Sequence, residues 1–595
     1  MNLNTLVSKG LSLVLALVMM FTMTSFAVAA EAATIQDGTY SVESTGMYPG
    51  LKLDITIEGG VISSVKVVEH AETVGISDLA IESIPQIIAE KNSINVDVVA
   101  GATLTSNGII DGVKAAITMA GGNLEDFNLR DETAIVKTDV EREVDLVIAG
   151  AGLTGLITAI AARQGGMSVL VVEKMPQSGG SLSIAGGNFM SVDSNISREY
   201  GVDDNKEEAF VIWKKAADGG PTPSTEFPDY ERLEYILDGN SDTLDWLKEV
   251  GVPFNRASPY DPDTIVKVYT EGGGGAVTKA LEDKARELGV EIMMETPATE
   301  LLVEEGKVVG MKAESPTENL TIRARFTQLS TGGFGKNEEI MQEWLPMFAG
   351  TDMKSGVGNT GDAFKMVEVV DAELYDPWAI PSNIAVSLEY QAAVQGVNGK
   401  LPSYRTKIIV DTTGVRYVKE DTGIAPIITN ALAMRDVPSY VIHDSSNEEA
   451  VALLEEGLAT GKVFKGDTLA DLAEAAGIDA DALAKTIATY NTYCEQKEDP
   501  DFEKYENNLI AYAAEGPYYA VNYIPSPNGT MGGIVTDVHG HVFNKSGEIV
   551  EGLYAVGEVS NRAYYNRTYV GAGSLGLYST AARWMGENYV QLMAE

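Results

Sequence analysis

Three glycines with a fixed spacing, Gly150, Gly152 and Gly155, follow a strongly apolar run of the sequence. This Gly-x-Gly-x-x-Gly pattern is typical of a strand–turn–helix unit that binds a nucleotide pyrophosphate. The first glycine permits the tight turn, the second lets the backbone approach the phosphates, and the third lets the helix pack closely on the strand. The amides at the helix N-terminus, including those of Leu153 and Thr154, favour the negative charge.

An acidic residue, Glu173, ends a second apolar run about 18 residues after Gly155, where its carboxylate can accept both ribose hydroxyls. The alternative is a glycine-rich turn without a ligand. A second glycine-rich loop comes next and can give backbone N–H groups to a longer, buried cofactor, which favours FAD over NAD. Its candidate contacts are Lys174, Ser178, Gly179, Gly180, Ser181 and Gly187. Near the far end of the chain, Gly557 and Glu558 end another strand that can hold a ribityl chain.

These features sit among further motifs that together carry a family resemblance. The motifs are Ser330-Thr331-Gly332-Gly333-Phe334, Asn359-Thr360-Gly361-Asp362, Gly516-Pro517-Tyr518-Tyr519-Ala520, Thr530-Met531-Gly532-Gly533 and Gly557-Glu558. With them, residues 144–595 resemble the fumarate reductase/succinate dehydrogenase flavoprotein superfamily, in particular its fumarate and urocanate reductases. The resemblance implies non-covalent FAD between a flavin domain and a cap domain, with unsaturated substrates receiving hydride from the flavin. It places Thr530–Gly533 and the last glycine-rich loop, which includes Ser574 and Leu575, near the isoalloxazine.

A second flavin is indicated by Asp97-Val98-Val99-Ala100-Gly101-Ala102-Thr103. This segment resembles the signature of domains in which a flavin transferase joins FMN through its phosphate to the last threonine, here Thr103. The resemblance therefore implies one covalent FMN per subunit, which would pass electrons to FAD. Ala100 departs from the usual Ser or Thr. The alternative is an ordinary helix cap, with a helix that starts at Ser106 or Asn107 and free amides that bond to Thr105 or Ser106.

The substrate-binding cations of fumarate reductases are absent at the matching positions. The proton-donor arginine falls at Ile424, the substrate histidine is replaced by Asn528-Gly529, and the carboxylate-binding arginine falls at Tyr569. A dicarboxylate would lose its water without gaining ionic partners, which argues against fumarate. The enzyme alternatives are a reductase of enones, steroids or aryl acrylates, and a dehydrogenase running in the opposite direction on a ketone. The other alternative is an electron-transfer flavoprotein without substrate chemistry.

The loop that carries Tyr569 resembles the Tyr-Pro-Gly-x-Gly loop of 3-ketosteroid dehydrogenases. The resemblance implies that the Tyr569 hydroxyl and the Gly573 N–H hold a ketone oxygen, as an oxyanion hole does. The alternative is that Tyr569 only packs on the flavin. Arg405 and Tyr404 are the candidate proton donors, and Tyr564, Tyr565 and Arg567 stay open as further ones.

The predicted fold class is α/β plus α+β, with a small N-terminal FMN-binding domain and a Rossmann-like FAD-binding domain that contains an inserted cap domain. The predicted boundaries are 1–30 for a signal peptide, 33–125 for the FMN-binding domain, 126–141 for a linker, 142–377 and 516–595 for the two parts of the FAD-binding domain, and 378–515 for the cap domain.

The composition limits the partners of the chain. Its 595 residues carry a net charge of −43, which argues against nucleic acid. A single cysteine, Cys494, excludes an internal disulfide, an iron–sulfur cluster and a Cys-x-x-Cys-His haem site, and no metal site is predicted. The apolar run Leu11–Phe26, followed by small residues, predicts a secretory signal and export as a secreted, cell-surface or periplasmic bacterial protein. The alternative is that this run stays uncleaved as a membrane anchor. The expected partners are a small apolar unsaturated carbonyl substrate, a membrane or extracellular electron donor and a flavin transferase.

Overall fold

A computed structural model describes residues 35–72, 77–99, 102–128, 136–222, 224–259, 264–394, 396–422 and 425–595. Several predicted features lie outside the described residues: the signal peptide, Ala100 and Gly101 of the FMN signature, residues 129–135 of the linker, and Ile424. The chain divides into two compact units, and the division falls in the 129–135 region.

The first unit pairs an antiparallel sheet with two helices. Its elements are β1 (Gly38–Thr45), β2 (Pro49–Glu58), β3 (Val61–Glu69), α1 (Asp78–Lys91) and α2 (Thr103–Met119), and the strand order is β1-β2-β3. Alternate residues of β2 are fully buried, because the helices cover one face of the sheet. Helix α2 starts at Thr103, earlier than the predicted start at Ser106 or Asn107.

The second unit begins with the predicted strand–helix–strand. Strand β4 (Thr138–Ala149) leads into α3 (Leu153–Gln164), and β5 (Val169–Val172) lies parallel to β4. The mixed sheet also contains β9 (Glu291–Met293), β10 (Ala298–Glu304), β11 (Lys307–Glu314) and β12 (Glu318–Leu329), in the order β10-β11-β12-β4-β5-β9. Strand β21 (Ile549–Ala555) pairs with β12 on one side and with β20 (His541–Phe543) on the other. Pairing of β12 with β4, of β5 with β9 and of β12 with β21 is parallel, so their C-terminal ends meet at one edge.

Along the chain, β5 is followed by helices, by a small antiparallel sheet of order β6-β8-β7, and by the remaining strands β9 to β12 of the mixed sheet. The elements are β6 (Asn188–Met190), α4 (Asn195–Glu199), α5 (Lys206–Asp218), α6 (Tyr230–Asp238), α7 (Asn240–Glu249), β7 (Phe254–Ala257), β8 (Lys267–Thr270), α8 (Gly273–Glu287), β9 (Glu291–Met293), β10 (Ala298–Glu304), β11 (Lys307–Glu314), β12 (Glu318–Leu329), α9 (Glu338–Trp344) and α10 (Asp362–Met366).

A separate antiparallel sheet, of order β14-β18-β16-β15 with β17 on β18, lies in the region of the predicted cap domain. Strand β18 lies past the predicted boundary at residue 515, yet it pairs with β14, β16 and β17. The elements are β13 (Leu374–Ala379), β14 (Asn383–Val386), α11 (Leu388–Ala393), α12 (Val397–Lys400), β15 (Ile409–Asp411), α13 (Ala425–Ala433), β16 (Ser439–Asp444), α14 (Glu448–Gly457), β17 (Val463–Gly466), α15 (Leu469–Ala476), α16 (Ala480–Gln496) and β18 (Tyr518–Ser526).

The chain then returns to the first sheet of this unit. Its last elements are β19 (Thr530–Ile534), which pairs with β13, then β20 (His541–Phe543), β21 (Ile549–Ala555) and the long helix α17 (Gly573–Ala594). Helix α17 packs on α3, so the N- and C-terminal parts of this unit share one core. None of the helices in the described ranges combines the length and the apolar character that a membrane crossing requires.

Candidate functional site

A large cavity opens at the C-terminal edge of the parallel strands in the second unit. Its volume is about 1240 Å³, counting space open to solvent, which is beyond the usual size for a drug-sized ligand. Many of the predicted cofactor residues line it. They are Gly150, Gly152, Leu153, Thr154, Glu173, Lys174, Gly179, Gly180, Ser181, Thr331, Gly332, Asp362, Gly557, Glu558, Ser574 and Leu575, and the predicted catalytic residue Tyr569 lines it as well.

The cavity wall fits a dinucleotide. A side chain at Gly150 would collide with the Ser330 carbonyl, whereas a Cβ at Gly152 would meet only the Gly179 carbonyl at 3.8 Å. The backbone at Gly152 is therefore open to the close approach of a phosphate. The Thr331 hydroxyl is buried in the wall with no partner among the described residues, so it is available to a bound group.

The carboxylate of Glu173 is held in place by backbone amides. It accepts from the Ala151 N–H and from the Met175 N–H, each at 2.8 Å. Burial raises the pKa of Glu173, and these amide bonds oppose that rise. Lys174, beside it, pairs with Asp362 at 2.5 Å. Glu173 is thus positioned at the end of β5, where the spacing predicted a ribose contact.

Other predicted cofactor residues lie behind the wall rather than on it. Their contacts are with the protein: a Cβ at Gly155 would overlap the Gly150 carbonyl, and one at Gly187 would overlap the Thr270 hydroxyl. The Ser178 hydroxyl donates to Glu282. Gly333 lies against Thr530 and Glu558, and Gly532 donates its N–H to Asn561. The glycines therefore have packing or turn roles in this structure, because their neighbours leave no room for a side chain. Ser178 is held by its hydrogen bond to Glu282.

The Tyr569 phenol lies at the N-terminus of α17. The amides of Ala572 and Ser574 and the Ser574 hydroxyl face its oxygen, and burial raises the pKa of Tyr569 while these three groups oppose the rise. The predicted second donor, Gly573, differs from expectation: its N–H donates to the Val570 carbonyl at 2.9 Å. The amide predicted to bind a ketone is therefore already used, because it closes the turn that starts the helix.

The two predicted proton donors lie outside the cavity wall. The Tyr404 hydroxyl donates to the Asn383 side chain at 2.8 Å, and Arg405 is exposed in a short turn. Asn528, in contrast, lines the cavity and donates to the Ser382 hydroxyl at 2.8 Å. The role of Tyr404 and Arg405 as proton donors therefore stays a prediction, which the cavity wall does not support.

Two residues of the wall were not predicted and have informative partners. Tyr578, one helical turn after Ser574, accepts from the Asn561 amide at 2.8 Å and from the Ser574 hydroxyl at 3.3 Å. Asn359 donates to Glu558 at 3.2 Å. The spacing of four residues on α17 could have indicated Tyr578, since residues i and i+4 share a helix face.

Glu558 is a buried acid with neutral partners. It accepts from the Thr530 amide at 2.8 Å and the Thr530 hydroxyl at 3.0 Å. Burial raises the pKa of Glu558 to about 7, against these hydrogen bonds. Between about pH 4.5 and pH 7 the folded protein therefore keeps the Glu558 proton, whereas the unfolded chain has released it. Because the folded state binds the extra proton, the free energy of unfolding falls as the pH rises through this range.

We predict that Glu558→Gln removes this pH dependence. Between pH 5 and pH 8 the wild-type free energy of unfolding should fall by up to about 3 kcal/mol more than that of the variant, because one pKa unit corresponds to about 1.4 kcal/mol. Urea denaturation of FAD-free protein at several pH values measures the difference. Parallel pH profiles for the two proteins would contradict the assignment.

Comparison with known proteins agrees with this geometry. The FAD binding domain family matches residues 145–575. The chain belongs to this family. An FMN-binding domain family matches residues 46–118, so the chain has both an FAD-binding and an FMN-binding domain and is an FAD-dependent oxidoreductase. The predicted superfamily is confirmed. The proteins to which this chain is similar include reductases that act on C=C bonds.

Two relatives and one solved structure show how far the similarity extends. An NADH:acrylate oxidoreductase of Vibrio harveyi is 26% identical over 93% of this chain, which spans 61% of that protein's length. A urocanate reductase of Eggerthella lenta is 28% identical over 85% of each chain. A 3-ketosteroid dehydrogenase structure from Rhodococcus jostii RHA1 has a TM-score of 0.61 at 24% identity, covering 78% of this chain and 99% of the other, which shows the shared fold.

Thr103 lies in the first unit and is exposed as the first residue of α2. The N-cap residue of this helix, Ala102, makes no side-chain capping hydrogen bond. Thr105 instead donates to the buried Glu72, and the Ser106 hydroxyl accepts from the Val99 amide at 3.0 Å. The predicted alternative, in which Thr105 or Ser106 caps the helix, is therefore wrong, since both residues lie inside the first turn.

Proposed function

We propose that this chain reduces a C=C bond conjugated to a carbonyl in a mostly apolar molecule such as an enone or an aryl acrylate, and not in a dicarboxylate. When bound, FAD would supply the hydride, and FMN on Thr103 would supply electrons from an external donor. The observation that carries the proposal is the Tyr569 phenol on the wall of the FAD cavity, at the N-terminus of α17.

The charge of the cavity argues against a dicarboxylate substrate. Among the described residues that line the cavity, the cationic side chain is that of Lys174, and it is paired with Asp362. Asn528 and Tyr569 present neutral groups where carboxylate-binding cations would stand in a fumarate reductase. A dicarboxylate would be desolvated here without an ionic partner, at a cost of several kcal/mol.

The surroundings of Tyr569 suit it to polarise a carbonyl. Because burial raises its pKa, the phenol is protonated at neutral pH and its O–H can donate. The amides of Ala572 and Ser574 approach the same oxygen, and a phenol that accepts hydrogen bonds becomes a stronger donor. A substrate carbonyl that accepts from Tyr569 would be stabilised as its oxygen gains negative charge while hydride adds at the β-carbon. The resulting enolate would then take up a proton from solvent at its α-carbon, which completes the reduction.

We further propose that the enzyme works outside the cytoplasm and is matured by a flavin transferase. The support is the apolar run Leu11–Phe26, followed by Ala27-Val28-Ala29-Ala30. A covalent FMN would be retained where a dissociated cofactor could not readily be replaced. Cell fractionation with an antibody to the chain tests the location, and recovery of the chain in the cytoplasmic fraction would contradict it.

The substrate class is tested by anaerobic reoxidation of the reduced enzyme. Mixing with an enone, a cinnamate and fumarate should give rapid flavin reoxidation with the enone or the cinnamate and none with fumarate. If fumarate alone reoxidises the enzyme, the proposed substrate class is wrong. If no compound does, the electron-transfer alternative is favoured.

Tyr569→Phe is expected to slow the reaction with the active compound about 100-fold, the usual effect of removing one oxyanion-hole donor. Tyr518→Phe is the matched control, because its hydroxyl donates to the Ala513 carbonyl at 2.8 Å and does not line the cavity. Rapid-mixing measurement of flavin reoxidation compares the two. Equal rates for Tyr569→Phe and wild type would remove Tyr569 from the mechanism.

A further inference from the structure

Three large apolar side chains are exposed on the first turn of α2, which carries Thr103, and on the loop between β1 and β2. Met47 is 49% exposed, Tyr48 is 42% exposed and Leu104 is 56% exposed. Leu104 is next to Thr103 on the first turn of α2, whereas Met47 and Tyr48 lie on the loop between β1 and β2. Large apolar side chains grouped at one exposed place indicate a binding surface rather than random exposure.

One buried acid joins the loop to the helix. The Glu72 carboxylate, 5% exposed, accepts from the Met47 amide and from the Tyr48 amide, each at 3.1 Å. It also accepts from the Thr105 hydroxyl. Glu72 therefore fixes the backbone of the loop against the turn that carries Thr103 and Leu104.

Close backbone packing keeps the two segments together. A Cβ at Gly108 would lie 2.7 Å from the Thr45 carbonyl, so the helix can approach the end of β1 only with a glycine at this position. The Ser44 hydroxyl donates to the Gly108 carbonyl at 2.8 Å. The surface formed by Met47, Tyr48 and Leu104 is thus rigidly placed relative to Thr103.

We infer that Met47, Tyr48 and Leu104 form the seat of the isoalloxazine ring of the FMN carried on Thr103. The inference rests on the proposed attachment and adds the residues that hold the ring. The FMN-binding domain match begins at residue 46, which includes this loop. An aromatic, largely apolar ring tethered beside Leu104 would cover the exposed side chains, and stacking on Tyr48 would stabilise one orientation. Glu72 is a positioning residue for this seat.

Flavin fluorescence tests the seat without measuring activity. Full-length wild type, Tyr48→Ala and Leu104→Ala are produced with a flavin transferase, and covalent FMN is counted by intact mass. Fluorescence per FMN is then measured after subtracting the FAD signal of Thr103→Ala. A stacked tyrosine quenches flavin emission, so Tyr48→Ala should raise fluorescence per FMN severalfold, and both variants should show greater quenching by iodide.

The control is Val61→Ala. Val61 is another exposed apolar residue, and it begins β3, whereas Glu72 follows the other end of that strand. This substitution should leave both signals unchanged. Tyr48→Trp should keep the quenching, because indole also stacks. FMN present on the Tyr48→Ala chain with wild-type fluorescence and iodide access would overturn the seat alone. No covalent FMN on the wild-type chain would instead contradict the proposed attachment.

Discussion

A Thr103→Ala enzyme is expected to retain FAD and to carry no covalent FMN. The proposed link is an ester between the threonine hydroxyl and the flavin phosphate, and alanine has no oxygen to form it. Thr103 is exposed at the start of α2, so the change removes no buried contact and the free energy of unfolding should change by about 0.5 kcal/mol or less. Denatured wild-type protein should fluoresce on a gel, and the variant should not.

The functional result should be equally large. The external donor should no longer reduce the FAD of Thr103→Ala, while dithionite should still reduce it. Thr103→Ser, which keeps a hydroxyl, and Thr118→Ala, an exposed change at the other end of α2, serve as controls that should retain FMN. Gel fluorescence that persists in Thr103→Ala would place the attachment at another residue.

Gly150→Ala is expected to abolish tight FAD binding. Gly150 has φ +103°, a conformation that residues with a Cβ rarely adopt, and its Cβ would lie 2.4 Å from the Ser330 carbonyl. Since Ser330 follows β12, the sheet neighbour of β4, the turn must move away from it. That movement displaces the amides at the start of α3, and we expect FAD affinity to fall at least about 100-fold, or about 2.7 kcal/mol.

Gly166→Ala separates collision from backbone strain. Gly166 has φ +91° and no atom within 4 Å of its Cβ position, so alanine there costs only the positive φ, about 1–2 kcal/mol of stability. FAD retained after desalting and calorimetric titration measure both variants. If Gly150→Ala binds FAD as tightly as Gly166→Ala, the close approach to Ser330 does not matter for the cofactor.

The nucleotide-binding part of the cavity could be predicted from sequence because its determinants are local. Gly150, Gly152 and Glu173 belong to one strand–helix–strand unit, and their spacing fixes their positions once the unit forms. The FMN domain was recognisable for the same reason, since its signature lies on one continuous segment that ends at Thr103.

The catalytic part of the site could not be predicted in the same detail, because it depends on contacts between distant segments. Whether the Gly573 amide is free depends on the turn geometry at Val570, and the position of the Tyr404 hydroxyl depends on Asn383. The pKa of Glu558 depends on burial, which raises it, and on hydrogen bonds from Thr530 and Asn359, which lower it, and no local pattern reports either effect. Residue type alone indicated the chemistry of these side chains, but their hydrogen-bond partners could be identified only from the folded structure.

The packing of α17 on α3 has a consequence for how the protein is made. The Thr154 hydroxyl donates to the Val556 carbonyl at 3.3 Å, and the Thr158 hydroxyl donates to the Ala582 carbonyl at 3.0 Å, across 402 and 424 residues of sequence. The pyrophosphate turn is therefore synthesised long before the strand and helix that complete its surroundings. A chain that ends before β21 lacks one wall of the cavity, so we expect FAD capture to wait until this C-terminal segment has been synthesised.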